Sequence, residues 1–204
     1  MKVKYLAIER EYGSGGTIIA KKTAERCGIA CYGREILEQT AKEQQTSVDA
    51  LEDYEESVSS SLLYSMFVMS QSQTGNPDLL SQEAKLFVAE SQVIRDLAKA
   101  GPAVFVGHCA CKALEEEQGV LQVFIRGSDA DKCRRAREDY GIPEKHVDAV
   151  CRKFNKKRGS YYSFCTRKKW NDSQNYDLIL DSSALGLEGC AAALAALYTE
   201  SQKE

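Results

Sequence analysis

The chain has 204 residues and a formal net charge of −3, enough length to bury one proper core and too little charge for a nucleic-acid coat protein. The first apolar run is about half a signal-peptide core. The longest, Cys190 to Tyr198, is far short of the roughly 20 residues of a membrane span. These features predict a soluble, cytoplasmic protein with no membrane partner. The eight cysteines are scattered without a C-x-x-C pair, so they read as reduced thiols rather than a disulfide framework. His108-Cys109-x-Cys111 offers three soft donors, but the chain has only two histidines and no second paired cluster, so no zinc site is expected.

In chain order, the apolar run at Val3 and Tyr5 to Ile8 predicts a strand that ends in the turn Gly13-Ser14-Gly15-Gly16. A helical pattern follows at once, with Ile18, Ile19, Thr23 and Ala24 on one side and Lys21, Lys22 and Glu25 on the other. A strand, a glycine turn and a helix N-terminus in that order make an anion cradle. Successive backbone N–H groups converge there, and the helix dipole adds partial positive charge. Arg10 to Thr17 approximates the P-loop pattern G-x-x-x-x-G-K-[ST], keeping the second glycine at Gly15 and the hydroxyl at Thr17. The first glycine is replaced by Arg10 and the lysine by Gly16.

Ile29 to Tyr32 reads as a second strand, and Gly33 to Leu37 opens a second helix. Ser57 to Gln73 is apolar with serine interruptions, where Met66, Phe67 and Met69 suit a core or groove lining, and Gly75-Asn76-Pro77 is a turn. Ser81 to Lys99 has helical periodicity at Leu86, Phe87, Ile94 and Leu97 and stops at Gly101-Pro102. Ala103 to Val106 and Leu121 to Ile125 are the third and fourth strands, the former uniformly apolar as in a buried parallel sheet. A charged helix from Asp129 to Tyr140 precedes one that starts near Pro143 and runs to about Arg158. Leu178 to Leu180 is a fifth strand and Leu187 to Tyr198 the closing helix. The alternation predicts an α/β fold, a five-stranded parallel sheet flanked by helices, with ligands at the C-terminal strand ends.

Cys151 to Trp170 holds eight Lys or Arg residues and no Asp or Glu, interleaved with Tyr161, Tyr162, Phe164 and Trp170. A solvated basic face and a nucleic-acid surface are both open readings. Beside a phosphate cradle in an acidic chain, such a segment also suits a lid that brings cations to an anionic ligand.

Three stretches carry a family resemblance: EREYGSGGTIIAKKTAERCG with the following YGREIL, AVFVGHCACKAL, and KKRGSYYSFCTRKKWNDSQNYDLILDSSALG. Together they resemble the cytidylate-kinase-like family of P-loop nucleoside monophosphate kinases. The resemblance implies a single P-loop kinase-like domain over 1–204, with an acceptor-binding helical region at about 33–100 and a lid at about 151–170. It also implies ATP and Mg²⁺ as cofactors and a small nucleotide, CMP or dCMP, as phosphoryl acceptor. The chain departs from the family's usual Y-D-R-E at Gly33, from V-G-R-x-A-D at His108 and Cys111, and from D-K-x-R at Asn155.

On this resemblance the backbone of Gly13, Ser14, Gly15, Gly16 and Thr17 holds the donor phosphates, and Thr17 ligates Mg²⁺. Arg10 is expected to supply the charge of the absent lysine, the alternative being a surface ion pair with Glu9 or Glu11. Arg158 and Arg167 are the expected lid cations at the transferring phosphoryl group. Arg34, His108, Arg126 and Arg134 are the acceptor-side candidates, although Arg134 also suits paired surface charge and His108 a core position. A homodimer is an allowed assembly. Two other functions stay open: a catalytically degenerate nucleotide-binding protein of the same fold, and a nucleic-acid-binding module built on the basic segment.

Overall fold

Five strands, β1 (Tyr5–Arg10), β2 (Ala30–Tyr32), β3 (Ala103–Val106), β4 (Val120–Arg126) and β5 (Leu178–Asp181), form one sheet in the order β2-β3-β1-β4-β5. The computed structural model describes residues 2–51 and 82–203. The readings at Ser57–Gln73 and at Gly75-Asn76-Pro77 lie outside the described residues. Every pairing is parallel, with Ile8 opposite Val106 and Arg10 opposite Ile125. This register brings the C-terminal ends of β1, β3 and β4 to one edge of the sheet. A parallel sheet covered on both faces needs strands that are apolar throughout, and β3 is buried along its whole length.

The helices are α1 (Gly16–Cys27), α2 (Arg34–Glu43), α3 (Gln82–Lys99), α4 (Ala110–Ala113), α5 (Asp129–Glu138), α6 (Val147–Thr166) and α7 (Ser182–Ser201). Alternate β1 side chains separate the two cores. Leu6 and Ile8 pack with Ile19 of α1 and Leu194 of α7, whereas Tyr5 and Ala7 pack with Ile94 of α3 and Tyr162 of α6. Two bonds fasten the end of α7 to the start of the chain: Val3 N donates to Ser201 Oγ (3.1 Å), and Gln202 Nε2 donates to Val3 O (2.7 Å).

Three expected boundaries change. The helix expected to end near Arg158 continues to Thr166, because Tyr161 and Tyr162 bury an apolar side against the sheet. Its start lies past Pro143, beyond a 3-10 turn at Glu144–His146. The closing helix begins at Ser182, where Asp181 Oδ1 accepts from Ser183 N (3.0 Å) and Ala184 N (3.3 Å). Gly186 (φ 70°, ψ 164°) then breaks the helix, so the run expected from Leu187 is the part beyond the kink.

Candidate functional site

β1 leaves the sheet at Arg10, and α1 starts six residues later at Gly16. The turn between them needs left-handed backbone at Gly13 (φ 75°) and Gly15 (φ 77°), a region costly to residues with a Cβ. The amides of Gly13, Gly15, Gly16, Thr17 and Ile18 donate to no backbone carbonyl among the described residues. Unpaired amides at a helix N-terminus are what an anion requires. The turn is braced from outside. Arg135, itself buried, donates from Nη1 to Gly13 O (3.0 Å) and Ser182 Oγ (3.3 Å). Glu11 Oε2 accepts from Gly127 N (3.1 Å) and Lys132 Nζ (2.9 Å). Tyr12 N donates to Asn155 Oδ1 (2.7 Å), and its ring stacks on Phe154 at 4.6 Å, which ties α6 to the turn.

Arg10 occupies the space that a side chain at position 16 would need. A Cβ on Gly16 would lie 2.5 Å from Arg10 Cβ and 2.8 Å from its Cγ, and a Cβ on Gly107 would collide with the Arg10 guanidinium. Two glycines therefore seat one arginine. A cation thus reaches the turn from the end of the strand, and position 16 at the helix start is left bare. Neither neighbouring glutamate serves as a surface partner for Arg10. Glu11 is held by Lys132, and Glu9 is buried with Oε2 accepting from Trp170 Nε1 (3.1 Å). Among the described residues Arg10 Nε is buried without a hydrogen-bond partner, a donor that an anion could satisfy.

A cavity of about 420 Å³ opens beside Arg10 and is lined by Glu9, Thr17, Arg34, His108, Lys157 and Arg158, among others. Arg158 donates from Nη1 to Arg10 O (3.0 Å) and lies 5.6 Å from the centroid of the Tyr12 ring. Burial, and then the positive Arg10 beside it, pull its guanidinium down to about 9, still charged at neutral pH. Burial pushes the Glu9 carboxyl up, against the opposing pull of Arg10, the Trp170 indole, Arg158 and His108.

His108 follows β3 directly, between Gly107 (φ 77°) and Cys109 (φ 48°), and is itself left-handed at φ 53°. Two consecutive non-glycine residues in this region store backbone strain of about 1–3 kcal/mol each. The strained turn carries an imidazole whose Nδ1 lies 2.8 Å from Glu90 Oε1. Glu90 is fully buried on α3, and its other oxygen accepts from the Tyr161 hydroxyl on α6.

Several expected residues meet here. Arg10, Thr17, Arg34, His108 and Arg158 all line the cavity, and Gly13, Ser14, Gly15 and Gly16 form the turn beside it. Three others are not brought in. Arg126 pairs with Asp181 (3.3 Å), and Arg134 with Asp131 (2.9 Å) and Glu138 (3.1 Å), so each is held by nearby carboxylates away from the cavity lining. Arg167 ends α6 in a left-handed cap, nine residues beyond Arg158 and about 13 Å further along the axis. The lid expected at 151–170 is mostly α6, with Tyr161, Tyr162 and Trp170 buried against the core.

Glu90, Arg135 and Glu9 were not anticipated. Glu90 had a signal: it falls four residues from both Leu86 and Ile94 on the apolar stripe of its helix, where a carboxylate needs a partner. Arg135 had none, since RRARED gives no reason to prefer it over Arg134.

The sheet order and the cradle are those of a P-loop nucleoside monophosphate kinase fold. Among solved structures, an uncharacterized protein from Eubacterium ventriosum ATCC 27560 is 25% identical with a TM-score of 0.70, covering 96% of this chain and 98% of that one. Shikimate kinase from Acinetobacter baumannii, solved with shikimate, is 11% identical with a TM-score of 0.53, covering 99% and 96%. TT1252 from Thermus thermophilus is 15% identical with a TM-score of 0.52, covering 98% of each chain. At these identities the last two show the shared fold alone. A comparison with curated proteins finds none that matches. The profile of the cytidylate kinase-like family matches residues 5–184. With that match spanning the cradle, the cavity and the basic helix, the chain belongs to the cytidylate kinase-like family.

Proposed function

We propose that the chain transfers the γ-phosphoryl group of ATP to a small nucleotide, with a pyrimidine nucleoside monophosphate such as CMP or dCMP as the acceptor. The observation that carries this reading is the braced glycine turn with Arg10 laid over Gly16, a set of unpaired amides joined to one cation. ATP and Mg²⁺ fit the residues present: the amides of Gly13, Gly15, Gly16 and Thr17 would hold the donor phosphates and the exposed Thr17 hydroxyl the metal, while the Ser14 amide already donates to Glu11 O (3.2 Å). Bound there, Mg·ATP supplies the transferable phosphoryl group and the metal's charge on it.

The chain's own share is positioning and charge, because an ionised phosphate acceptor needs no strong base. Arg10 faces the transferring group from the strand end and Arg158 from α6, and Arg34 receives the acceptor on the α2 side. In this reading Arg167 joins them only if the end of α6 moves when ligand binds. The family likeness supports a nucleotide acceptor, and the cations lining the cavity support an anionic one. A nucleic-acid role loses its stacking platform, since Tyr161, Tyr162 and Trp170 are buried.

The test is ADP release from Mg·ATP across a panel of nucleoside monophosphates. Acceptor-dependent release, greatest with CMP or dCMP, is expected. ATP binding without acceptor-dependent release from any member would make the chain a nucleotide-binding protein of kinase fold.

A further inference from the structure

The Glu90–His108–Tyr161 cluster joins α3, the turn after β3 and α6 beside the cavity. Glu90 is 0% exposed and His108 10%, so their contact is made almost out of water. Both carboxyl oxygens of Glu90 are engaged, one by the Tyr161 hydroxyl and the other by His108 Nδ1. A carboxyl oxygen 2.8 Å from Nδ1 orients the imidazole with its Nδ1 proton toward Glu90. Nε2 is then the nitrogen that gains or loses a proton.

The charges around His108 are mixed. Glu90 on α3 touches it, and Glu9 on β1 and Glu35 on α2 lie within electrostatic reach. These three carboxylates favour the imidazolium. Arg10 on β1, Arg34 on α2, and Lys157 and Arg158 on α6 line the same cavity and oppose it. A group balanced in this way responds to the next charge that arrives, and a phosphate dianion favours the protonated form.

Of the four acceptor-side candidates only Arg34 and His108 line the cavity, and Arg34 is already shared with Glu38 at 3.3 Å. A phosphate monoester beside Arg34 would also face His108, which adds a cation on the β3 side of the cavity once protonated. The strained backbone at 108 and 109 is consistent with a side chain held where function needs it.

We propose that Glu90, His108 and Tyr161 form the phosphate-binding half of the acceptor site, in which His108 takes up a proton as a phosphate monoester binds. Glu90 and Tyr161 are positioning residues, and the His108 imidazolium touches the ligand. The proposal rests on the kinase reading for the identity of the acceptor. Its sign is definite for an anion that does not titrate: sulfate affinity is greatest when the imidazole is protonated and falls as pH rises through the imidazole range, whereas a phosphate monoester gains charge of its own near about pH 6.

The experiment is calorimetric titration of the full chain with CMP and, separately, with non-titrating sulfate, in buffers of different ionisation heat and without ATP. Between about pH 6 and about pH 8, the range an imidazole spans, sulfate affinity should drop about tenfold. Proton uptake should approach one per site at the upper end. His108→Asn keeps a residue that tolerates left-handed backbone; it should abolish the uptake and weaken CMP about tenfold at the lower pH. Glu90→Gln, similar in shape, should move the fall in affinity to lower pH, which loss of packing alone would not do. Ring nitrogen shifts of His108 give a second reading of the same event.

Binding without proton uptake, or uptake unchanged in His108→Asn, overturns the proposal and leaves the kinase reading standing. So does turnover that rises with pH on a hydroxyl acceptor, which would make His108 a base. Failure of both CMP and sulfate to perturb the His108 ring also overturns it. Proton-coupled CMP binding without ADP release from Mg·ATP would instead sink the kinase reading and leave this one.

Discussion

The two ends of the cavity are built in different ways. The end proposed to take the donor is one continuous stretch, Arg10 to Thr17, made of backbone amides and one arginine. The end proposed to take the acceptor is assembled from side chains on α2, α3, the turn after β3, and α6. Backbone amides are indifferent to residue type so long as the path is open, so the donor end depends on what is missing: no Cβ at Gly13, Gly16 or Gly107. The acceptor end depends on what is present, a buried carboxylate matched to an imidazole and a phenol. Substitutions should therefore harm the first by adding atoms and the second by removing them.

The largest effect should come from adding one methyl group. A Cβ at Gly13 would lie 2.5 Å from the Lys132 carbonyl oxygen, which is backbone and cannot step aside, at a φ of 75°. Gly13→Ala should distort the cradle and lose the equivalent of two charge-assisted hydrogen bonds, on the order of 3–6 kcal/mol, or more than a hundredfold in nucleotide affinity. Titration with a fluorescent ATP analogue measures it. An unchanged affinity would show that the donor end does not rely on backbone shape.

Next is the exchange of Arg10 and Gly16. Arg10→Ala should cost roughly a hundredfold in turnover with little change in Mg·ATP affinity. Gly16→Lys alone should do similar damage, because the two side chains share one space. The double variant Arg10→Gly with Gly16→Lys returns the cation from the helix side and should recover about tenfold over either single change. Absence of recovery in steady-state assays would mean that Arg10 serves the fold rather than the charge.

The smallest expected effect separates two adjacent arginines. Arg135→Ala removes bonds to Gly13 O and Ser182 Oγ made in a buried setting and should cost about 1–3 kcal/mol in urea unfolding, with weaker ATP binding. Arg134→Ala breaks only exposed pairs and should stay within about 0.5 kcal/mol. Equal costs would blur the division between a braced donor end and an ordinary surface.

The difference between the two ends also explains what could be read before any coordinates. Alternating apolar runs and turn residues are local properties, so the five strands, their parallel arrangement and the glycine turn were all legible from the chain, as was the place of Arg10 at the strand end beside it. Boundaries moved only where a distant surface extended an element, as when burial of Tyr161 and Tyr162 carried α6 past Arg158. The acceptor end was only half visible. His108 could be named from its place after a strand and Arg34 from the family resemblance, but nothing local sets Arg134 apart from Arg135 or joins Glu90 to a histidine 18 residues away. A charged side chain reports its role through the partner it meets. For residues on separate elements that meeting is decided by how helices dock on the sheet, which only the tertiary structure settles.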